Sequence, residues 1–170
     1  MAYQPGTMRV IGLEQFLKTL DRLRLDVNKA GKQALTKVGL FAEGALKKRV
    51  SRTGHGRTYK TGSKTTRYKY HTASVPGHPP AVDTGRLRSS ITYNVTGKPG
   101  NVLPNPGGGF GDVRAYVGTN VYYGYFLEMG TSKMAPRPWF YITIQANANN
   151  IRNLIANSLR DYIRRNARKK

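Results

Sequence analysis

Cysteine is absent from the 170 residues. That excludes disulfides, thiolate zinc sites, iron–sulfur clusters and cysteine nucleophiles together. Acid is scarce: eight Asp and Glu stand against 29 Lys and Arg, for a formal charge of +21. Four of the eight, Glu14, Asp21, Asp26 and Glu43, fall where the first helices are expected. Solvated or ion-paired roles are the default there, so a carboxylate pair for acid–base catalysis has few places to form. Long apolar runs are missing too. None approaches 18 residues, so no membrane-spanning helix is expected. The amino-terminal stretch MAYQPGTMRV has no apolar core of a secretory signal, which points to production in a cytoplasm. Hydrophobic residues reach only 38%, beside 19 Gly and 9 Pro. Part of the chain is therefore expected to be loop, or to depend on a partner for its order.

What is present is enough for one domain with a real core, since a chain of this size buries roughly 70% of its unfolded surface. The charge excess repels itself and calls for a polyanionic or acidic partner. Leu13, Phe16, Leu17, Leu20, Leu23 and Val27 recur at helical spacing, as do Ala34, Leu35, Val38, Phe41, Ala42, Ala45 and Leu46. Two helices are predicted, about 13–25 and 28–50, with Asn28 capping the second. Residues 51–82 differ. Nine Lys and Arg lie between Lys47 and Val82, and no acid lies between Glu43 and Asp83. Thr and Tyr alternate with Arg and Lys around Gly62-Ser63, the pattern of a basic arm or hairpin with a two-residue turn. Pro76-Gly77 and Pro79-Pro80 forbid regular structure, and Asp83-Thr84-Gly85 reads as a turn or cap.

Further on, Ile91, Tyr93 and Val95 mark one face of a first strand, and Val113, Ala115 and Val117 mark one side of a second. A Gly/Pro-rich loop, 98–111, joins them. The aromatic run 121–129 fits a third strand or a short helix. Pro138 suits the first turn of a basic carboxy-terminal helix. The fold expected is α+β: two helices over 13–50, the arm over 51–82, a small antiparallel sheet with long loops over 83–131, and a long helix over 138–167. A helical protein with only short ribbons is the alternative.

Few constellations carry chemistry. His55, His71 and His78 lie in the irregular basic stretch with no carboxylate within four residues. A metal site needs ligands held by a scaffold and a second layer of partners, and none is expected. Gly107-Gly108-Gly109 lacks the strand, helix and Gly-Lys-Ser/Thr ending of a phosphate-binding loop, so it reads as a hairpin tip. The basic residues Arg52, Arg57, Lys60, Lys64, Arg67 and Lys69 are interleaved with Tyr59, Tyr68 and Tyr70. Cations attract phosphates without reading sequence, and tyrosines stack on exposed bases. A solvated basic loop satisfies the same pattern.

Two separated blocks narrow the reading. The first holds Ala73-Ser74, Pro76-Gly77, Pro79-Pro80-Ala81, Thr84-Gly85-Arg86-Leu87 and Ser90-Ile91. The second holds Val117-Gly118-Thr119-Asn120, Tyr123, Leu127-Glu128-Met129-Gly130-Thr131 and Arg137-Pro138-Trp139-Phe140. With Gly56-Arg57-Thr58-Tyr59 upstream, the chain resembles the HK97 gp10-like family of tailed-phage neck or tail-completion proteins over roughly 13–159. It departs from the pattern at His78, where an acid is more usual, and in the 98–111 loop. The resemblance implies a structural protein of the virion neck, neither catalytic nor cofactor-dependent, that forms a hexameric ring around the DNA channel at the head–tail interface. It implies as partners further copies of the chain, a head-closure or connector ring, a tail-terminator or tail-tube ring, and packaged double-stranded DNA in the lumen. A tail-terminator ring and a free nucleic-acid-binding protein stay open. The resemblance marks Pro76, Gly77, Pro79, Pro80, Asp83, Thr84, Gly85, Leu87, Tyr123, Glu128, Gly130, Thr131, Arg137 and Pro138 as structural or inter-subunit positions. Glu128 and Arg137 are candidates for an ion pair within or between subunits. Tyr122, Tyr123, Tyr125, Phe126 and Trp139 are expected in the core more than at an interface.

Overall fold

A run of small and branched residues at three- and four-residue spacing builds the longest element, α1 (Val27–Arg49). Ala30, Ala34, Leu35, Ala42 and Leu46 are its buried members in this computed structural model, which describes residues 18, 27–61, 69–95, 109–110 and 113–167. Gly39 costs helix propensity, yet a Cβ there would run into the ring of Tyr93; the glycine lets that ring approach. Glu43 pairs with Lys47 one turn on, the favoured order. Lys47, Lys48 and Arg49 fill the last turn, where cations suit the negative helix end. Val27 is already helical, so Asn28 lies inside the helix and does not cap it. The helix expected over 13–25 falls outside the described residues apart from Lys18, which is helical.

Strands β1 (Thr58–Thr61) and β2 (Lys69–Thr72) form an antiparallel hairpin. The expected two-residue turn is corrected. It would pair Thr61 with Lys64, whereas the register pairs Thr61 with Lys69 and leaves 62–68 as the connection. Next come a five-residue helix, α2 (Arg86–Ser90), and β3 (Ile91–Val95). Gly85 leads into α2 at φ 78°, a left-handed conformation that suits glycine. β4 (Gly109–Phe110) pairs antiparallel with β5 (Val113–Thr119), and the strand order is β3-β5-β4. In β5, Val113, Ala115 and Val117 alternate with Tyr116 and Gly118 along the strand and are half-buried, while Tyr116 and Gly118 are buried.

The run 121–129 is a helix, α3 (Tyr123–Met129), so 83–131 contains two short helices beside its strands. The carboxy-terminal helix is interrupted. α4 (Tyr141–Ala146) and α5 (Ala148–Ala167) meet at Asn147, whose φ −102° and ψ 9° leave the helical basin. Its N–H still reaches the carbonyls of Thr143 and Ile144, both at 3.2 Å. Pro138 precedes α4 and does not lie in its first turn.

The chain divides into two compact units. One comprises 1–41, 93–117 and 148–170; the other comprises 42–92 and 118–147. In the first, Ile151, Ile155, Leu159 and Tyr162 form the buried stripe of α5, and Ala30, Ala34, Val95 and Tyr116 are also buried. In the second, Leu46, Val50, Leu87, Ile91, Val121 and Trp139 are buried. With two helix-lined cores and short strands, the α+β expectation holds.

Candidate functional site

The second unit brings the two sequence blocks together. The Gly77 N–H donates to the Pro136 carbonyl at 2.9 Å. The hydroxyls of Ser90 and Thr119 lie 2.6 Å apart. A Cβ on Gly124 would lie 3.2 Å from Leu87 Cδ1 and 3.5 Å from Trp139 Cζ2, so glycine lets α3 sit close to both. Trp139 is 2% exposed, and its indole N–H donates to the Gly124 carbonyl at 3.1 Å.

Glu128 organises the approach to α4. Its Oε2 accepts the backbone N–H groups of Trp139 and Phe140 at 2.7 and 2.8 Å, and its Oε1 accepts that of Tyr141 at 3.0 Å. One carboxylate thus satisfies three N–H groups where the helix begins. Of the two settings expected for an ion pair with Arg137, within or between subunits, the pair within the chain does not form. The Arg137 guanidinium donates to the Ala135 carbonyl at 3.3 Å, and its backbone N–H to the Leu127 carbonyl at 2.7 Å. Glu128 meets the backbone because three donors converge on it, a pattern that no short motif encodes. Gly130 and Thr131 turn the chain between α3 and this segment. Gly130 sits at φ 76°, and a Cβ there would lie 2.8 Å from the Met134 carbonyl oxygen. The Thr131 N–H donates to that same carbonyl at 2.8 Å.

The aromatics of α3 divide. Tyr122, Tyr125 and Phe126 are exposed, Tyr122 by 79%; Tyr123 is half-buried. This corrects the expectation of core for all but Trp139. Read at 3.6 residues per turn, Tyr122, Phe126 and Met129 share an outer stripe, with Tyr125 beside it. Their rings meet edge to face, Tyr122 and Phe126 at 6.0 Å and Tyr125 and Phe126 at 5.8 Å. Tyr123 and Leu127 instead line an open cleft of about 270 Å³. Val50, Pro80, Val82 and Leu87 extend its apolar lining, and Asp83, Thr84, Gly85, Arg86 and Arg88 add polar and charged groups. Pro76 and Gly77 are exposed, Pro79 is half-buried, and Pro80 is buried. Pro138 is half-buried.

The basic hairpin presents cations on both faces. Directly paired residues share a face, so Lys60 stands with Tyr70, and Thr58 with Thr72, whose hydroxyls lie 2.9 Å apart. Tyr59 stands with His71 on the opposite face. The Arg57 guanidinium lies 5.7 Å from the Tyr59 ring centroid, within cation–π range. Arg52 is exposed, while Lys64 and Arg67 fall outside the described residues. His71 Nδ1 lies 4.0 Å from Asp83 Oδ1, a pairing that the 12-residue separation hid. His55 and His78 have ring centroids 5.2 Å apart. Among the described residues, no group of three or more His, Cys, Asp or Glu could hold a metal ion.

The arrangement is one of packed loops, an aromatic helix face and a two-sided basic hairpin. Residues 14–130 match the HK97-gp10-like family, described as "Bacteriophage HK97-gp10, putative tail-component". The chain belongs to this family. The match spans both motif blocks as far as Gly130, and Glu128 lies inside it. Neither the comparison with curated proteins nor that with solved structures returned a significant match. Membership makes the chain a structural component of a phage tail or neck, located in the virion and in contact with other virion proteins. Among the described residues, no helix is long and apolar enough to cross a membrane.

Proposed function

We propose that the chain forms a hexameric ring in the neck, assembled in the host cytoplasm, that joins the head connector to the tail around the DNA path without catalytic activity. The observation that carries this reading is the exposed aromatic face of α3 in a chain of this family. Contiguous exposed apolar surface of this kind marks protein–protein contact, and a closed ring is the usual way to cover a self-associating surface. The basic hairpin supports the rest. Its cations divide between two faces, so it can meet two partners at once.

Charge arithmetic argues for that division. A domain of this length has a radius of gyration of about 15 Å and spans roughly 40 Å. Duplex DNA carries a charge every ~1.7 Å, hence about 24 phosphates over that height. Six copies of the Lys and Arg of 47–82 supply about 54 positive charges. That is roughly twice what the DNA can neutralise, and full neutralisation would hold back DNA that must slide. Some cations therefore face the channel, and the remainder contact acidic surfaces of adjoining rings. Charge reversal at Arg57, Lys60, Lys64, Arg67 and Lys69, with particles counted by electron microscopy, tests this. Unjoined heads and tails are expected. Normal joining, with changed DNA retention alone, would assign the whole hairpin to the channel and remove its docking role.

A further inference from the structure

The cleft between residues 80–88 and α3 is not accounted for by ring formation or by the DNA path. Its apolar lining includes Val50, Pro80, Val82, Leu87, Tyr123 and Leu127. Leu87 and Val50 are buried, whereas Arg86 and Arg88, on either side of Leu87, are exposed. At about 270 Å³ the recess is smaller than the roughly 300–1,000 Å³ of small-molecule sites. It suits one large apolar side chain with its flanking backbone.

The charge around it is mostly positive. Arg86 and Arg88 line the cleft against one carboxylate, Asp83, and Asp83 already has His71 at 4.0 Å. Two exposed arginines against a single carboxylate, on a chain of +21, favour an anionic occupant that carries an apolar group. A second copy of a +21 chain brings the wrong sign. Duplex DNA has the right sign, but its convex phosphate backbone has no apolar group to fill the recess. The apolar surface also continues past the cleft, because Tyr122 and Phe126 stand next to Tyr123 and Leu127 along α3.

We propose that this cleft binds an acidic segment of an adjoining virion protein, with one apolar side chain in the recess and flanking carboxylates on Arg86 and Arg88. The proposal rests on the neck reading for the identity of the donor, and on the cleft alone for its chemistry.

The full chain, labelled with ¹⁵N, is titrated with a synthetic peptide alternating leucine and aspartate, with its asparagine counterpart, and with a DNA duplex. The aspartate peptide should shift the amide signals of 80–88 and 123–127. The asparagine peptide should bind about tenfold more weakly or worse. The double variant Arg86→Glu/Arg88→Glu should keep its circular dichroism, lose the aspartate peptide by a similar factor, and gain a lysine-for-aspartate peptide. Equal binding of the aspartate and asparagine peptides, or shifts at these residues with DNA in place of peptide, would overturn the proposal. In virions, a photo-crosslinking residue at Tyr123 should label a carboxylate-flanked apolar segment of a different protein; a link to a second copy or to DNA would overturn it. If the chain is absent from virions, the neck reading fails and the donor with it. If heads and tails join normally through the chain but 80–88 do not shift with peptide, the cleft proposal alone fails.

Discussion

Trp139→Ala should destabilise the protein by about 4 kcal/mol, the middle of the range for truncating a buried aromatic. Three losses combine. The side chain is 2% exposed, so its removal opens a cavity that the surrounding loops fill only in part. Its indole N–H no longer satisfies the Gly124 carbonyl, 3.1 Å away, and a buried acceptor without a donor carries its own cost. Gly124, which has no side chain of its own and lies against the indole and Leu87, cannot refill the space. Domains of this size are stable by only about 5–15 kcal/mol, so the variant should unfold at a much lower urea midpoint. Trp139→Phe keeps most of the ring volume and loses the N–H; a cost of about 1–2 kcal/mol is expected. Equal costs for the two variants would mean that the hydrogen bond, not the packing, dominates.

Glu128→Ala should cost about 3 kcal/mol, more than a single helix cap provides. The carboxylate accepts three backbone N–H groups, from Trp139, Phe140 and Tyr141, and alanine leaves all three without that acceptor. Glu128→Gln separates the contributions. Its amide oxygen can take the place of Oε2, which serves Trp139 and Phe140, but its NH₂ then faces the donor of Tyr141. About half the alanine cost is expected from urea unfolding. A glutamine variant as unstable as the alanine one would assign the effect to the negative charge at the start of α4 and not to acceptor geometry.

These two residues show what was legible in the sequence. α1 and α5 could be read because their buried residues repeat at helical spacing over many turns. The hairpin could be read from the alternation of Thr and Tyr with Arg and Lys. Its turn could not, because the Thr61–Lys69 register does not fit a two-residue turn at Gly62-Ser63. The run 121–129 was ambiguous between strand and helix. Gly124 resolves it: only a helical path puts Tyr122, Tyr125 and Phe126 outside while the glycine meets Leu87 and Trp139. The side shared by Val113, Ala115 and Val117 in β5 was legible from alternation, but not that Tyr116, between them, takes a buried position. Glu128 stood in a recognisable motif, yet its partners lie 11–13 residues away and are backbone groups, which leave no trace in side-chain chemistry. The same holds for the cleft, whose lining comes from α1's end, residues 74–88 and α3.

The central claim is tested most directly by a cryo-electron microscopy map of the neck in intact virions. Density for this fold is expected as a six-fold ring between the head connector and the tail, around the DNA, with the basic hairpin reaching both the channel and a neighbouring ring. A neck without this chain, or the chain at the distal end of the tail, would contradict the account.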